Sequence, residues 1–354
     1  MDSLTHLFLG GAIAAAIAPP HHRRAALLAG AALNSLPDLD VVPLILSNAD
    51  PVVRMTWHRG ATHSLFVLPF VAWALWAWFR RRGGRVAEAP RRWFWVFLCT
   101  LLAHPLIDAF TVYGTQLLWP LPMPPVMWST LFIIDPLFAL PLLLACVVAW
   151  FARERVSAQR ALACGLALAV AYVGWSVLAK SLVEREAQRA LAQLGLADAP
   201  RFSVPMPLTT QRWRVVAMTP GGFVEGERSV RDARPMRFVP HASDVAALHA
   251  VSGFPAAARL LWFNHHFAKA EVVQDGALVL SDLRMGAEPD YTFRFIVAER
   301  DGVGWREVPP RQPGMRLMDA LPRLWRRFRE RQEDGAVTDG ERAADDSAAP
   351  PQPR

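Results

Sequence analysis

The sequence predicts an all-α polytopic membrane bundle with about six apolar segments, followed by a small α+β extracytoplasmic domain. The long apolar runs lie in the first half of the 354 residues, arginines cluster in alternate connections between the runs, and the second half alternates short polar and apolar stretches. We therefore expect a membrane-embedded helical domain over 1–180, an outer α+β domain over 181–331 and a disordered tail over 332–354.

Apolar runs define the predicted helices of the first half. A helix needs roughly 20 apolar residues to cross the hydrocarbon core, and the last two runs meet this length. The third and fourth runs are shorter but end in tryptophans, which are typical of membrane interfaces. The first two are either short spans or a re-entrant hairpin. The runs cover residues 4–18, 25–47, 64–79, 93–110, 131–151 and 161–179.

Arginine predicts the orientation of the bundle. The connections 19–24, 80–92 and 152–160 are rich in arginine, whereas 48–63 is poorer and 111–130 contains neither lysine nor arginine. Since positive residues are retained in the cytoplasm, the first three connections are expected inside. The sequence thus predicts a multi-pass protein of a bacterial-type inner (cytoplasmic) membrane, with the N-terminus and the C-terminal domain outside and the lipid bilayer as a partner.

The charge and the cysteines exclude several classes of function. The net charge of +7 comes almost wholly from arginine, because Lys180 and Lys269 are the only lysines. This bias can reflect composition alone, so no nucleic-acid partner is expected. Cys99, Cys146 and Cys164 all lie in apolar runs, which excludes a disulfide framework within the outer domain. Neither a Gly-x-Ser-x-Gly nucleophile elbow nor a phosphate-binding glycine loop is present.

Histidines and aspartates interrupt the apolar runs in four short motifs. Such residues are costly at membrane depth and are usually functional there. In the predicted orientation, every motif falls at the outer end of its run, so the topology brings the motifs to one face. Their imidazole and carboxylate groups suit a divalent metal, zinc above all, with manganese or iron as alternatives. The predicted metal ligands are His6, Asp38, Asp40, His58, His63, His104 and Asp108.

The spacing within two motifs agrees with this role. His104 and Asp108 are four residues apart and share one helix face; the alternative is a buried hydrogen-bonded pair. Asp38 and Asp40 follow Pro37, which disfavours a regular helix, so an extended turn would point both carboxylates in the same direction. The alternative is a turn with aspartate caps.

Two further residues are candidates for catalysis. His58 and His63 are five apart and need loop geometry across Gly60 to meet. Arg59, between them, either steadies an anionic substrate or is an interfacial arginine that reaches for the lipid headgroups. Asp135 lies a few residues inside the fifth run and is a candidate metal ligand, a ligand-orienting carboxylate, a general base or an acceptor at a helix end.

These residues support two hypotheses of function. The first is a membrane-bound metal-dependent hydrolase that acts on a phosphoester or other amphipathic envelope substrate, such as a phospholipid, at the extracytoplasmic face through metal-bound hydroxide. Seven ligands exceed one tetrahedral site, so two metals bridged by an aspartate are consistent with this hypothesis. The alternative is a non-catalytic membrane protein with a structural metal and a partner-binding outer domain. A transporter is less favoured, because no inverted repeat is visible.

The motifs carry a family resemblance. Over about residues 1–150 the chain resembles the YdjM-type family of predicted membrane-bound metal-dependent hydrolases, which implies that activity. The order of the motifs is more loosely similar to zinc-dependent phospholipase C, an all-helical soluble fold whose later ligand histidines have no clear counterpart after Asp108. The matching stretches are Asp2–Gly10, Leu36–Asp40, His58–Ser64, His104–Asp108 and Asp135–Leu137.

The outer half is predicted from short alternating runs and turn residues. The sixth helix is expected to continue through 181–196, a short helix is expected near 243–251, and a basic helix over 321–331 precedes the tail. Strands are expected over 213–218, 223–230, 277–283 and 291–299.

Overall fold

A computed structural model describes residues 1–273 and 275–313. The basic helix predicted over 321–331 and the predicted tail over 332–354 lie outside the described residues. The first half is helical: α1 Ser3–Ile17, α2 Arg23–Ser35, α3 Val41–Leu46, α4 Pro51–Trp57, α5 Leu68–Arg81, α6 Gly84–Glu88, α7 Pro90–Asp108, α8 Pro136–Ala152 and α9 Val156–Gln193.

The second half contains two short helices and the strands. The helices are α10 Val245–Val251 and α11 Pro255–Phe263. The strands are β1 Arg201–Pro205, β2 Arg212–Thr219, β3 Gly222–Ser229, β4 Phe238–Ala242, β5 Ala268–Val272, β6 Ala277–Asp282, β7 Gly286–Ala287, β8 Asp290–Tyr291, β9 Arg294–Asp301 and β10 Gly304–Arg311.

Helix α1 lies inside the bundle, where it packs on α2, α7, α8 and α9. Its contact with α2 is a backbone contact at Gly10 and Gly30. A Cβ atom at Gly10 would lie 2.2 Å from the carbonyl oxygen of Gly30, and a Cβ atom at Gly30 would lie 2.2 Å from that of Gly10. Only glycine permits this approach. Near this contact, the Asn34 side-chain amide donates to the His6 carbonyl at 2.8 Å, which holds the two helices in register.

The helix lengths do not support six membrane spans. By length and composition, two helical stretches of the described chain can cross a membrane, Pro20–Leu46 and Val156–Gln193. The number rises to at most four if each of two bent pairs is one span: Pro51–His63 with Leu68–Arg81, bent by 60°, and Val245–Val251 with Pro255–Phe263, bent by 114°. Helices α1 and α8 are apolar but have 15 and 17 residues, short of the roughly 20 that a span requires.

The three arginine-rich connections meet at one end of the bundle. The Arg23 guanidinium donates to the Arg153 carbonyl and to Gln159 Oε1, which joins connection 19–24 to connection 152–160. His22 Nε2 lies 2.9 Å from Glu88 Oε2, which adds connection 80–92. The grouping on which the predicted orientation depends is therefore present in the fold.

The second half forms a β-sheet domain. Two antiparallel four-stranded sheets have the orders β1-β2-β3-β4 and β10-β9-β6-β5, and β7 pairs with β8. The four predicted strands correspond to β2, β3, β6 and β9, and the predicted helix near 243–251 is α10. Strands β1, β4, β5 and β10 were not predicted, since each is short or interrupted by charged residues and prolines.

Helix α9 connects the two halves without a break. It continues past the predicted boundary at residue 180, and its side chains Val183 and Ala187 pack against Trp213 and Val215 of β2. On the opposite face of β2, Val216 belongs to the core between the two sheets. Burial on both faces explains why this strand is an almost continuous apolar run.

The β-sheet domain also packs directly on α4. Val52 and Met55 of α4 are part of the same hydrophobic core as Phe263 and Phe295. The Arg259 guanidinium donates to the Thr56 hydroxyl at 3.1 Å and to its carbonyl at 3.2 Å. Helix α4 is therefore held by the β-sheet domain as well as by the helices of the first half.

We predict that Gly30→Ala destabilises the fold, because the added methyl group would overlap the α1 backbone; overpacking of this kind costs about 1–3 kcal/mol. The matched control is Gly174→Ala in α9, where a Cβ atom meets nothing within 4 Å. Thermal unfolding in detergent, followed by tryptophan fluorescence, should show a lower midpoint for Gly30→Ala only. Equal midpoints for the two variants would contradict the proposed backbone contact.

Candidate metal centre

The predicted site residues are brought together from four elements of the helical half. His6 lies on α1, and His104 and Asp108 lie on the last turn of α7. Asp38 and Asp40 lie on the turn between α2 and α3, which is a 3₁₀ helix over Pro37–Asp40 rather than the extended turn that we predicted. The remaining residues follow α4: His58, Arg59 and, at the end of a 3₁₀ turn, His63.

Four of these side chains form a candidate metal-ligand cluster, Asp38, His63, His104 and Asp108, with one donor atom from each within 4.8 Å of all the others. Asp38 Oδ1 lies 3.4 Å from His63 Nε2 and 3.3 Å from His104 Nε2. Asp108 Oδ2 lies 3.5 and 3.3 Å from the same two nitrogens. The two nitrogens are 2.9 Å apart.

The hydrogen bonds of the two imidazoles determine which ring nitrogen faces the cluster as an acceptor. His104 Nδ1 contacts the Asn34 carbonyl, which only accepts, so Nδ1 carries the proton. His63 Nδ1 lies 3.0 Å from the Thr62 hydroxyl, whose own proton is donated to Asp40 Oδ2 at 2.7 Å. His63 therefore also carries its proton on Nδ1. Both Nε2 atoms then present lone pairs to each other.

A cation fits this arrangement. The cluster consists of four acceptor atoms, and Asp38 Oδ1 and Asp108 Oδ2 are buried without a hydrogen-bond partner in the described chain. Acceptors at these separations repel unless a proton or a cation lies among them. In a tetrahedral site with donor atoms about 2.0–2.1 Å from the metal, the donors are roughly 3.3 Å apart. The four distances between a carboxylate oxygen and an imidazole nitrogen of the cluster are all close to this value.

Asp40 orients the ligands instead of facing the cluster. Its Oδ1 accepts from His58 Nδ1 at 2.6 Å, and its Oδ2 accepts from the Arg59 amide at 3.0 Å and from the Thr62 hydroxyl. Three protein donors thus already hydrogen-bond to this carboxylate. Such a pattern is typical of carboxylates that accept hydrogen bonds from metal-bound histidines. The geometry favours this supporting role over the direct ligation that the sequence suggested.

His58 lies at the accessible edge of the cluster. Because its Nδ1 donates to Asp40, its Nε2 is free to accept and lies 4.0 Å from Asp38 Oδ1. The side chains of His58 and Asp38 are 21% and 25% exposed, whereas those of His63, His104 and Asp108 are fully buried. Access to the cluster is therefore from the His58 and Asp38 side.

His6 and Arg59 surround the other oxygen of Asp108. The His6 ring stacks on His104 with the ring centroids 3.9 Å apart, and its Nε2 lies 3.3 Å from Asp108 Oδ1. Both His6 ring nitrogens are buried without a hydrogen-bond partner in the described chain. Arg59 Nη2 lies 3.2 Å from the same oxygen, which also contacts the Met1 amino nitrogen. His6 therefore remains a predicted metal ligand. Its ring packs against that of His104, and it is not one of the four residues of the cluster.

A strained backbone positions Arg59. We predicted that Gly60 would permit the loop geometry, and a Cβ atom at this position would indeed lie 2.9 Å from the Trp57 carbonyl oxygen. In addition, Arg59 itself has a positive φ of 64°. Its guanidinium lies 4.9 Å above the centre of the Tyr113 ring and donates to the Thr111 hydroxyl at 3.3 Å. Burial raises the pKa of Tyr113 above its ordinary value, so its neutral hydroxyl donates to the Met55 carbonyl at 2.8 Å.

Asp135 makes helix-end contacts, which were one of the four roles predicted for it. Its carboxylate accepts from the amides of Leu137 and Phe138 at the start of α8 and from the Tyr172 hydroxyl at 3.0 Å. A catalytic role for Asp135 stays a prediction.

The sequence-based site omitted three supporting residues. Asn34 contributes a backbone carbonyl, which carries no signal in a sequence. Thr62 was visible inside the His58–His63 motif, but its link between Asp40 and His63 depends on the loop conformation. Tyr113 is separated from Arg59 by more than 50 residues and reaches it only through the packing of the loop that follows α7 against α4.

We predict that Thr62→Val weakens zinc binding about 10–100-fold, the range for groups behind metal ligands, because His63 and Asp40 both lose their contact with the hydroxyl. The control is Thr100→Val on α7, since Thr100 Oγ1 is buried without a hydrogen-bond partner in the described chain. Competition with a chromogenic chelator measures both affinities. Equal zinc affinities would contradict the ligand-orienting role of Thr62.

Comparisons with known proteins agree with the motif pattern. Over 194 residues the chain is 26% identical to the uncharacterized protein YfhP of Bacillus subtilis (strain 168), and the match covers 54% of each chain. The chain thus spans about half the length of this relative. No solved structure matches it. The family model for the YdjM inner membrane protein matches residues 1–183, and together with the apolar helices this match shows that the chain is a membrane protein of the YdjM family.

Proposed function

We propose that this protein is a metal-dependent hydrolase of the membrane, acting on a phosphoester or another amphipathic envelope substrate. The observation that carries the proposal is the cluster of four acceptors, Asp38, His63, His104 and Asp108, beside the buried guanidinium of Arg59. A cation would compensate the acceptors, and Arg59 Nε, which has no hydrogen-bond partner in the described chain, is left to donate to an anionic substrate.

Zinc is the metal that we propose, with manganese or iron as alternatives. Imidazole and carboxylate donors with tetrahedral spacing are typical zinc ligands. The carboxylates of Asp38, Asp40 and Asp108 with the guanidinium of Arg59 leave two net negative charges among these side chains, which a divalent cation neutralises. One cation is favoured over a bridged pair, because Arg59 already contacts Asp108 Oδ1.

The side chains around the cluster have separate proposed roles in binding the cation and the substrate. A divalent cation in the cluster would supply Lewis-acid chemistry and an ionised water near neutral pH. Arg59 neutralises Asp108 and offers its guanidinium to an incoming phosphate, held in place by the Tyr113 ring. Asp40 holds His58 and, through Thr62, His63 in the orientations that the cluster needs. The partly exposed pair of Asp38 and His58 is the side from which substrate approaches.

We further propose that the site faces the outside of the inner membrane. The cluster is at the end of α7 that is remote from Arg91 and Arg92 at its start, and α5 likewise begins near the cluster and ends at Arg80 and Arg81. Positive residues are retained in the cytoplasm, so the cluster and the C-terminal β-sheet domain are extracytoplasmic in this orientation.

A structural metal is the second candidate. Structural zinc sites are closed by four protein ligands, and the cluster offers four donors. In this case the metal would tie α7 to the 3₁₀ turns at 37–40 and 61–63, and the outer domain would bind a partner. Arg59 is not one of the four donors, so a change of Arg59 would leave a structural metal in place without a loss of function. In a hydrolase the same change would keep the metal but lower the activity.

We predict that Arg59→Gln keeps the metal but lowers kcat/KM for a phosphoester about 100-fold, as expected for loss of a charged group that stabilises the transition state. Removal of a positive charge next to the cluster favours cation binding, so metal loss would not explain the effect. The measurement is hydrolysis of bis(p-nitrophenyl) phosphate and of phospholipid in mixed micelles by zinc-loaded protein. Arg54→Gln, an exposed arginine on α4, is the matched control and should stay within about twofold of wild type.

Full activity in Arg59→Gln would contradict the role proposed for Arg59. Zinc-loaded wild-type protein that is stabilised by the metal yet hydrolyses none of these phosphoesters would contradict the hydrolase proposal and favour the structural metal.

A further inference from the structure

An apolar groove lies against the segments that hold the metal ligands. Its volume is about 160 Å³, close to that of an apolar cavity that holds one benzene-sized molecule. Thr62 is the only one of its lining residues with a polar side chain. The walls come from the end of α2, the start of α5 and the middle of α7, and include Leu36, Pro37, Val67, Val71 and Leu101.

The groove borders the segments that carry the candidate metal ligands. Pro37 directly precedes Asp38, and Thr62 directly precedes His63 while donating its hydroxyl proton to Asp40. Leu101 lies on α7 three residues before His104, about 4.5 Å along the helix axis. A ligand that fills the groove would therefore have one end next to the cluster.

In the membrane orientation proposed above, the groove would run in the same direction as a lipid in the bilayer. From the cluster it extends along α5 and α7 toward their middle, away from the end that bears the site. Phe66 and Phe70 beside it are exposed, Phe70 by 74%, as expected for side chains in contact with hydrocarbon. A molecule with its polar group at the cluster and its apolar part in the groove would lie parallel to the lipids of the same leaflet.

We propose that the groove binds the first segment of an acyl chain of a membrane phospholipid, whose phosphate lies against Arg59 and the exposed side of Asp38. This rests on the proposed function and narrows its substrate class to lipid phosphoesters taken directly from the bilayer. Because the chain leaves one hydrocarbon environment for another, the groove contributes orientation of the phosphate more than affinity.

Photo-crosslinking in vesicles tests the proposal without relying on turnover. Full-length protein is reconstituted in phosphatidylglycerol and phosphatidylethanolamine with a trace of phosphatidic acid that carries a diazirine near the ester end of one acyl chain. We expect the label to concentrate on the peptides that contain Val67, Val71 and Leu101. Unlabelled lysophosphatidic acid should compete, whereas glycerol phosphate, which has no chain, should not.

Two variants that fill the groove from different positions provide the comparison. Val71→Trp and Val67→Phe should each reduce labelling of these peptides at least about fivefold. Phe70→Trp, on the exposed side of α5, should leave it unchanged. Labelling spread evenly over the lipid-facing helices, or unaffected by both groove variants, would overturn the proposal. Concentrated labelling in a protein without phosphoesterase activity would support the groove while contradicting the hydrolase.

Discussion

Mutual repulsion among four acceptor atoms is the constraint on which the site depends. The proton positions of His63 and His104 are set by Thr62 and Asn34, so their remaining lone pairs face two carboxylate oxygens in a buried space. Such a set is costly in a low-dielectric interior without positive charge. Compensation by a cation, as proposed, would account for the ligand types, their spacing and the burial of three of the four donors.

The packing of the helices and of the β-sheet domain brings the four donor residues together. The glycine contact between α1 and α2 brings the end of α2 and the turn that follows it close to α7, where the other ligands lie. From the opposite side, the β-sheet domain packs on α4, which precedes His58 and Arg59. Two structural units thus hold the two sides of one site. The β-sheet domain contributes to the position of Arg59 even though it contains none of the proposed ligands.

The sequence predicted the site better than the membrane topology. His63, His104, Asp38 and Asp108 were identifiable because ionisable groups within apolar runs are costly and are usually kept for a function. The number of spans was overestimated, because hydropathy cannot distinguish a spanning helix from α1, which is buried by its neighbours. The contacts of Asp40 with His58, Arg59 and Thr62 could not be predicted, since they depend on the 3₁₀ turn after Pro37 and on a left-handed Arg59, neither of which leaves a periodic signal. Four strands of the two four-stranded sheets, β1, β4, β5 and β10, were not predicted. Each is either only five residues long or interrupted by charged residues and prolines.

The central claim is that the four-donor cluster binds one divalent cation. The most direct test is metal analysis combined with zinc K-edge X-ray absorption on detergent-purified protein, beside the double variant His63→Ala, His104→Ala. We expect one zinc per wild-type chain, with nitrogen and oxygen donors at about 2.0–2.1 Å, and no stoichiometric zinc in the double variant. Wild-type protein that takes up no metal after reconstitution, or a double variant that keeps it, would show that the cluster does not bind a cation.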